Sequence, residues 1–230
     1  MTILCSHQPH YLASTEYFSR MQKSDIFCLM DDYQFTRYDW QNRNRIMTAN
    51  GPVTLTIPVA KRFLAIDCTP LVGNLWVAQH ESAIWAAYGK SPGRQRIINY
   101  LDWAKGTFPD SGFLGQVATG FIHYFWRTLK LETHLIREYS HIRSLAGKGE
   151  NPSDDISLQC RHFNADQYLC GESSFEYFDR TYFRGVLLKK AEWRPKQYPQ
   201  KWTDSFIPNL SILDLIANVP ENDRIREILD

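Results

Sequence analysis

A chain of 230 residues with 43% hydrophobic and 14% aromatic content can bury a substantial core, which excludes a disordered chain and fits one large domain. With 26 basic and 25 acidic residues the net charge is +1, so no global field favours DNA or RNA as the main partner. No window approaches the roughly 20 apolar residues of a membrane span, and Met1-Thr2-Ile3-Leu4-Cys5 lacks the basic and apolar regions of a signal peptide.

In chain order, residues 2–5 read as a strand buried on both sides, and residues 13–23 as a helix with Ser14 or Thr15 as its cap. Residues 26–30 read as a second buried strand, so the first 30 residues make a right-handed parallel βαβ unit. Residues 53–59 alternate with period two and predict a strand with Pro58 at an edge or end. Residues 76–105 read as helical, broken at 88–93. The Gly-Lys-Ser inside that break lacks the upstream glycine of a nucleotide loop. Residues 115–129 predict a buried amphipathic helix, 147–152 a linker, and 153–163 a helix capped by Ser153. Short strands follow at 168–170 and 186–188, then an apolar helix over 210–217. The fold class is α/β: one domain over 1–230, with an α/β core (1–75), a mostly helical segment (76–165) and a return to the core (166–230).

Chemistry-bearing residues concentrate where the chain leaves these elements. His7 and His10 follow the first strand, where a histidine serves as acid, base or phosphate ligand, or simply as a hydrogen-bonded residue that fixes the turn. Asp31 and Asp32 end the second strand. One of the pair must point away from the other, so at most one serves a site, with Asp31 slightly favoured over a turn-capping role. Gln34, Gln41, Asn42, Arg43, Asn44 and Arg45 form a polar cluster. Arginine forks suit phosphate or carboxylate, and amides suit hydroxyls and carbonyls; the bland reading is a solvated turn. Trp40 is the aromatic best placed to stack on a ring, the other tryptophans padding the core. His80 reads as a core or helix-capping histidine. Near the end, Ser211 and Asp214 have capping-box spacing, with Asp214 alternatively reaching Arg43 or Arg45; Gln200 is a ligand-contact candidate. The cysteines Cys5, Cys28, Cys68, Cys160 and Cys170 form no CxxC pair, which predicts free thiols in a cytoplasmic protein and no structural zinc or other metal site. Cys5 reads as a small buried apolar residue.

Several of these stretches, in this order, resemble one family: His7-Gln8-Pro9 with Tyr11, Tyr17-Phe18, Asp31-Asp32 with Gln34-Phe35, Gln41 to Ile46, Leu55 to Val59, Tyr168 to Gly171, Tyr198-Pro199-Gln200, and Phe206 to Leu215. They resemble the WbqC-like protein family over nearly the whole chain. The resemblance implies a Rossmann-like core and a cytoplasmic transferase in surface-polysaccharide (O-antigen) or natural-product biosynthesis, moving an aminoacyl or acyl group to an amino sugar or other amine. It implies His7 as base and Asp31 as the acid that orients the acceptor. Gln8, His10, Tyr11, Asp32, Gln34, Gln41, Asn42, Arg43, Arg45 and Gln200 become substrate contacts in a cleft where His7, Asp31, Gln34, Arg43 and Arg45 converge. The family commonly has proline at the position of Ala13 and a small residue at that of Glu16, so the loop after His10 departs from the pattern. The HxxH spacing at a strand-to-helix turn also resembles the nucleotidylyltransferase fold, without a lysine-rich signature near the C-terminus. Two rivals follow: an ATP-dependent adenylating or nucleotidyl-transfer enzyme, and a non-catalytic module that binds a sugar nucleotide or a carrier protein. The partner is a small or carrier-linked molecule; the sequence names no cofactor and no oligomeric state.

Overall fold

A computed structural model describes residues 1–60, 63–107, 112–137 and 139–230. The predicted βαβ unit is present: β1 (Ile3–His7), α1 (Thr15–Gln22) and β2 (Ile26–Leu29), with β1 and β2 parallel from Leu4 opposite Ile26 to His7 opposite Leu29. β5 (His134–Ile136) pairs parallel with β2, β6 (Gln167–Cys170) with β1, and β7 (Leu187–Lys190) with β6. Among the described residues the sheet therefore runs β5-β2-β1-β6-β7, all parallel. The chain builds outward from β1 through β2 to β5, then returns to the other side of β1 for β6 and β7. In such sheets the crevice at the carboxyl ends of the two strands flanking the reversal is the usual ligand position. Here those strands are β1 and β6.

Period-two geometry sends alternate side chains to opposite faces. Cys5, Phe27 and Leu29 pack with Tyr17, Phe18 and Met21 of α1 and with Phe121 and Phe125 of α4 (Leu114–Thr128). Leu4, Cys28, Tyr168 and Cys170 pack on the other face against Ile156 and Cys160 of α6 (Pro152–His162). The result is a three-layer α/β sandwich, in which the short apolar strands are explained by burial on both sides.

A two-stranded antiparallel hairpin, β3 (Arg43–Thr48) and β4 (Gly51–Thr56), lies outside this sheet. The predicted strand at 53–59 starts earlier and stops before Pro58. Its partner, β3, is built from the stretch read as a polar cluster, because the buried Asn44 and Ile46 alternate with Arg43 and Arg45. The helical segment is broken where expected, between α2 (Leu75–Tyr88) and α3 (Arg94–Thr107), while 108–111 and 138 of that segment lie outside the described residues. At the break Gly93 donates its N–H to Ala217 O at 2.8 Å, and a Cβ there would sit 2.0 Å from Ile216 O, so only glycine allows this approach.

The stretch 147–152 is a tight turn rather than a spacer: it follows α5 (Tyr139–Ala146), and a Cβ on Gly149 would lie 2.1 Å from Asp155 N. Asn151, not Ser153, caps α6, its side chain accepting from the N–H groups of Ser153 and Asp154, with Pro152 at the first helical position. β5, α7 (Glu172–Tyr177) and α9 (Asn222–Leu229) are too short for a periodic pattern to mark, and α7 and α9 are mostly polar as well. Among the described residues no helix is long and apolar enough to cross a membrane.

The predicted C-terminal helix is α8 (Ile212–Asn218), buried at every residue. Ser211 caps it by accepting from Leu213 N at 3.2 Å. Asp214 does not complete a capping box and meets no arginine. It is 0% exposed and accepts from Tyr88 Oη, Tyr198 Oη and Gln200 Nε2, each at 3.0 Å. Burial raises its pKa and these donors oppose the rise. Tyr88 Oη in turn accepts from Met47 N at 2.9 Å, so one carboxylate ties α2, β3 and the C-terminal segment together. Removing it in Asp214→Ala strands buried hydroxyl donors, each costing about 1–3 kcal/mol. Urea denaturation should show a loss of about 2–5 kcal/mol, with Asp214→Asn recovering part of it; a loss below ~1 kcal/mol would contradict the network's role.

Candidate functional site

A cavity of about 640 Å³ opens at the carboxyl ends of β1 and β6. Ser6, His7, Gln8 and His10 form its β1 side; Tyr168, Ser173 and Ser174 its β6 side; Glu16 and Arg20 reach in from one face of α1; Trp40, Asn44 and Arg45 close the rim.

The turn after β1 is braced from the hairpin side. The Gln8 side-chain oxygen accepts from Gln41 Nε2, while Gln41 Oε1 accepts from Thr36 N at 2.7 Å. Tyr11 N donates to Trp40 O and Gln41 O, both at 3.2 Å, and Asn44 Nδ2 donates to Tyr11 O at 3.3 Å. Asn42 Nδ2 is committed to Ile57 O at 2.8 Å. The amides of the predicted polar cluster therefore hold the backbone, and Gln41, at 0% exposed, is wholly interior. Tyr11 is also interior, its hydroxyl 2.9 Å from His80 Nδ1 and its ring stacked on that imidazole, which makes His80 a core histidine.

His7 is half-buried. Its Nδ1 lies 2.9 Å from Gln8 O; a carbonyl only accepts, so Nδ1 carries the proton and Nε2 is the acceptor. Its ring meets His10 edge-on at 4.6 Å and Tyr17 at 5.1 Å. Desolvation, then the Arg20 cation, lowers the His7 pKa to about 3. Burial, His7 and Arg20 hold His10 well below its ordinary value. Both imidazoles are neutral near pH 7.

Of the residues expected to converge, His7 and Arg45 line the cavity together with Gln8 and His10. Asp32 instead pairs with Arg143 at 2.8 Å, which also grips Asp155 at 2.7 Å. Asp31 lies off the cavity wall, its carbonyl accepting from Asp67 N at 2.9 Å. Gln34 is exposed, bridged to Ala65. Arg43 sits over Tyr38 at 5.8 Å, outside the lining, whereas Arg45 sits over Trp40 at 5.8 Å on the rim. Gln200 spends its amide on Asp214 and on Ile207 N and O, far from ligand duty. The residues unread from sequence are Arg20, Glu16, Ser173 and Ser174. Glu16 and Arg20 stand at i and i+4 on α1, a signal hidden because that helix was read only for its apolar face.

The profile of the WbqC-like protein family matches residues 8–226. The chain belongs to the WbqC-like family. It is 27% identical over 221 residues to an uncharacterized protein of Mycobacterium tuberculosis, covering 92% of this chain and 91% of that one. No solved structure matches. This WbqC-like chain thus brings His7-Gln8-Pro9 to the reversal point of a parallel sheet.

The depressed histidines set a pH dependence. His7 falls from 6.5 to about 3, His80 to about 4, and His10 falls too. Below pH 6.5 the unfolded chain takes up protons that the folded chain refuses. Stability is therefore full above pH 6.5 and is lost as pH drops towards 3–4, at up to about 1.4 kcal/mol per pH unit for each such group. Thermal melts from pH 7 to 4.5 should fall steadily, and less steeply in His10→Gln and His80→Gln; an unchanged slope in both variants would refute the assignment.

Proposed function

We propose that this WbqC-like chain is a transferase that moves an aminoacyl or acyl group from an activated donor, such as a thioester, to the amine of an amino sugar or related acceptor, in the assembly of surface polysaccharide or a natural product. The observation that carries this reading is His7: a neutral imidazole at the end of β1, with Nδ1 spoken for and Nε2 left as a base on the cavity wall. The acceptor nitrogen attacks the acyl carbon, the new C–N bond forms, and the bond from that carbon to the leaving sulfur or oxygen breaks. The proton lost by the amine passes to Nε2 and on to the leaving group. Burial and Arg20 hold His7 below the range in which a base works best, so on this reading a bound anionic substrate offsets Arg20 and brings His7 back towards it. On this reading Glu16, which also lines the cavity, binds the acceptor's ammonium and takes its extra proton to solvent, so that the free amine attacks, while Asp31 lies off the wall. Gln8, His10 and Arg45 are the substrate contacts of this reading, and Trp40 its stacking surface.

A second reading, nucleotidyl transfer from ATP, draws on the strand order together with the close His7–His10 pair at the turn after β1. The two differ in products: group transfer releases thiol from an acyl thioester without ATP, whereas nucleotidyl transfer releases pyrophosphate. With the productive donor, His7→Gln should lower kcat by ~10²–10⁴-fold while acceptor affinity and melting temperature hold. An unchanged kcat would remove His7 as base, and ligand binding without turnover on any donor would leave a binding module.

A further inference from the structure

Two arginines, Arg20 and Arg45, line this cavity without an ion-pair partner among the described residues, and Arg20 is the one whose field falls on His7 and His10. It projects from the last turn of α1 onto the wall formed by His7 and His10. Its Nε is buried without a hydrogen-bond partner. Among the described residues no carboxylate lies within ion-pair distance of it, whereas Arg143, Lys105 and Lys190 each have one. Its field reaches inward: it adds to the burial that lowers the pKa values of His7 and His10, where no carboxylate offsets it, and opposes the burial that raises those of Cys5, Tyr17 and Cys170. Gly171, at the end of β6, leaves it room, since a Cβ there would lie 3.3 Å from Arg20 Nη1. A half-buried guanidinium is costly without a counterion; the cavity lining holds two neutral imidazoles and the hydroxyls of Ser173 and Ser174, with Glu16 and Asp39 as its carboxylates, neither within ion-pair distance of Arg20. Glu16 shares the cavity but also borders the neighbouring groove with Glu172 and Lys190, where Lys190 is already paired.

We infer that Arg20, with Ser173 and Ser174, is the seat of a phosphoryl group carried by one of the substrates, beside His7 and His10. Guanidinium forks match phosphate oxygens in pairs, and a tetrahedral dianion presents more acceptors to the guanidinium and the two serine hydroxyls than a carboxylate does. The inference rests on the transferase reading only for the role of that substrate, which is then a phosphorylated donor or acceptor: a nucleotide-linked sugar, or an acyl group on a pantetheine-type thioester. The shared chemistry is the phosphate, and the two sources are separated by experiment.

The test is isothermal titration calorimetry of the full chain with pyrophosphate, UDP-N-acetylglucosamine, coenzyme A and acetate. Pyrophosphate should bind, more weakly as salt is raised, and acetate at least tenfold more weakly. Arg20→Met should lose at least tenfold in pyrophosphate affinity, Arg20→Lys less, and the exposed His134→Gln nothing. If Arg20→Met fails to fold, Gly171→Ala keeps the charge but displaces it, and should also weaken binding. Whichever of the sugar nucleotide and coenzyme A competes with pyrophosphate identifies the source. Failure of pyrophosphate to bind, full affinity in a folded Arg20→Met, or acetate binding as tightly as pyrophosphate would each overturn the inference. Pyrophosphate binding that needs Arg20, without acyl transfer, would instead overturn the transferase reading and leave this site standing.

Discussion

The backbone of residues 211 and 212 joins parts of the chain that are remote in sequence, and the cavity depends on that seam. Ser211 N donates to Arg45 O and Ile212 N to Ala13 O, each at 2.9 Å, while Thr15 N donates to Leu210 O at 3.4 Å. These bonds fix the turn after β1, the start of α1 and the hairpin β3–β4 relative to one another. They lie against α8, which has no solvent face, so the seam cannot slip without exposing apolar residues or orphaning backbone groups. Asp214 locks the same region from beneath, accepting from two tyrosines and Gln200. A buried carboxylate held by several neutral donors is stable only while all of them stay in place, which makes the network specific as well as stabilising.

With the framework rigid, the electrostatics of the cavity follow from which charges have partners. Asp32 and Asp155 share Arg143 beside α6, with Tyr33 donating to Asp155. Among the described residues neither Arg20 nor Arg45 is in an ion pair, and Arg20 sits beside two imidazoles that burial already keeps neutral. Asp32 is thereby turned to structural work, and the cavity keeps Arg20 and Arg45 with Glu16 and Asp39.

Much of this was legible before the fold was known. Leu4, Cys5, Phe27 and Leu29 sit in apolar runs too short for helices, and a helix between two such runs forces a parallel crossover. His7 and His10 then had to lie just after a buried parallel strand. The hairpin was half legible, since β4 alternates while β3 hides its buried face between arginines. The amides Gln41, Asn42 and Asn44 read as ligand contacts because an amide's hydrogen-bonding capacity is the same for a substrate as for a backbone carbonyl. Their partners, Gln8, Ile57 and Tyr11, lie 15–33 residues away, a distance that no local pattern encodes.

Local sequence by itself determined the class of the fold, the parallel βαβ unit of β1 and β2 and the position of the histidines after β1, because strand burial and helix periodicity are properties of neighbouring residues. Only the tertiary structure decided the return of β6 to the far side of β1, which creates the crevice, and the choice of Arg20 and Arg45 over Arg43, Asp31 and Asp32 as cavity residues. That choice turns on which charges find partners across the fold. Such pairing is a matter of distance and burial between segments, which no single segment specifies.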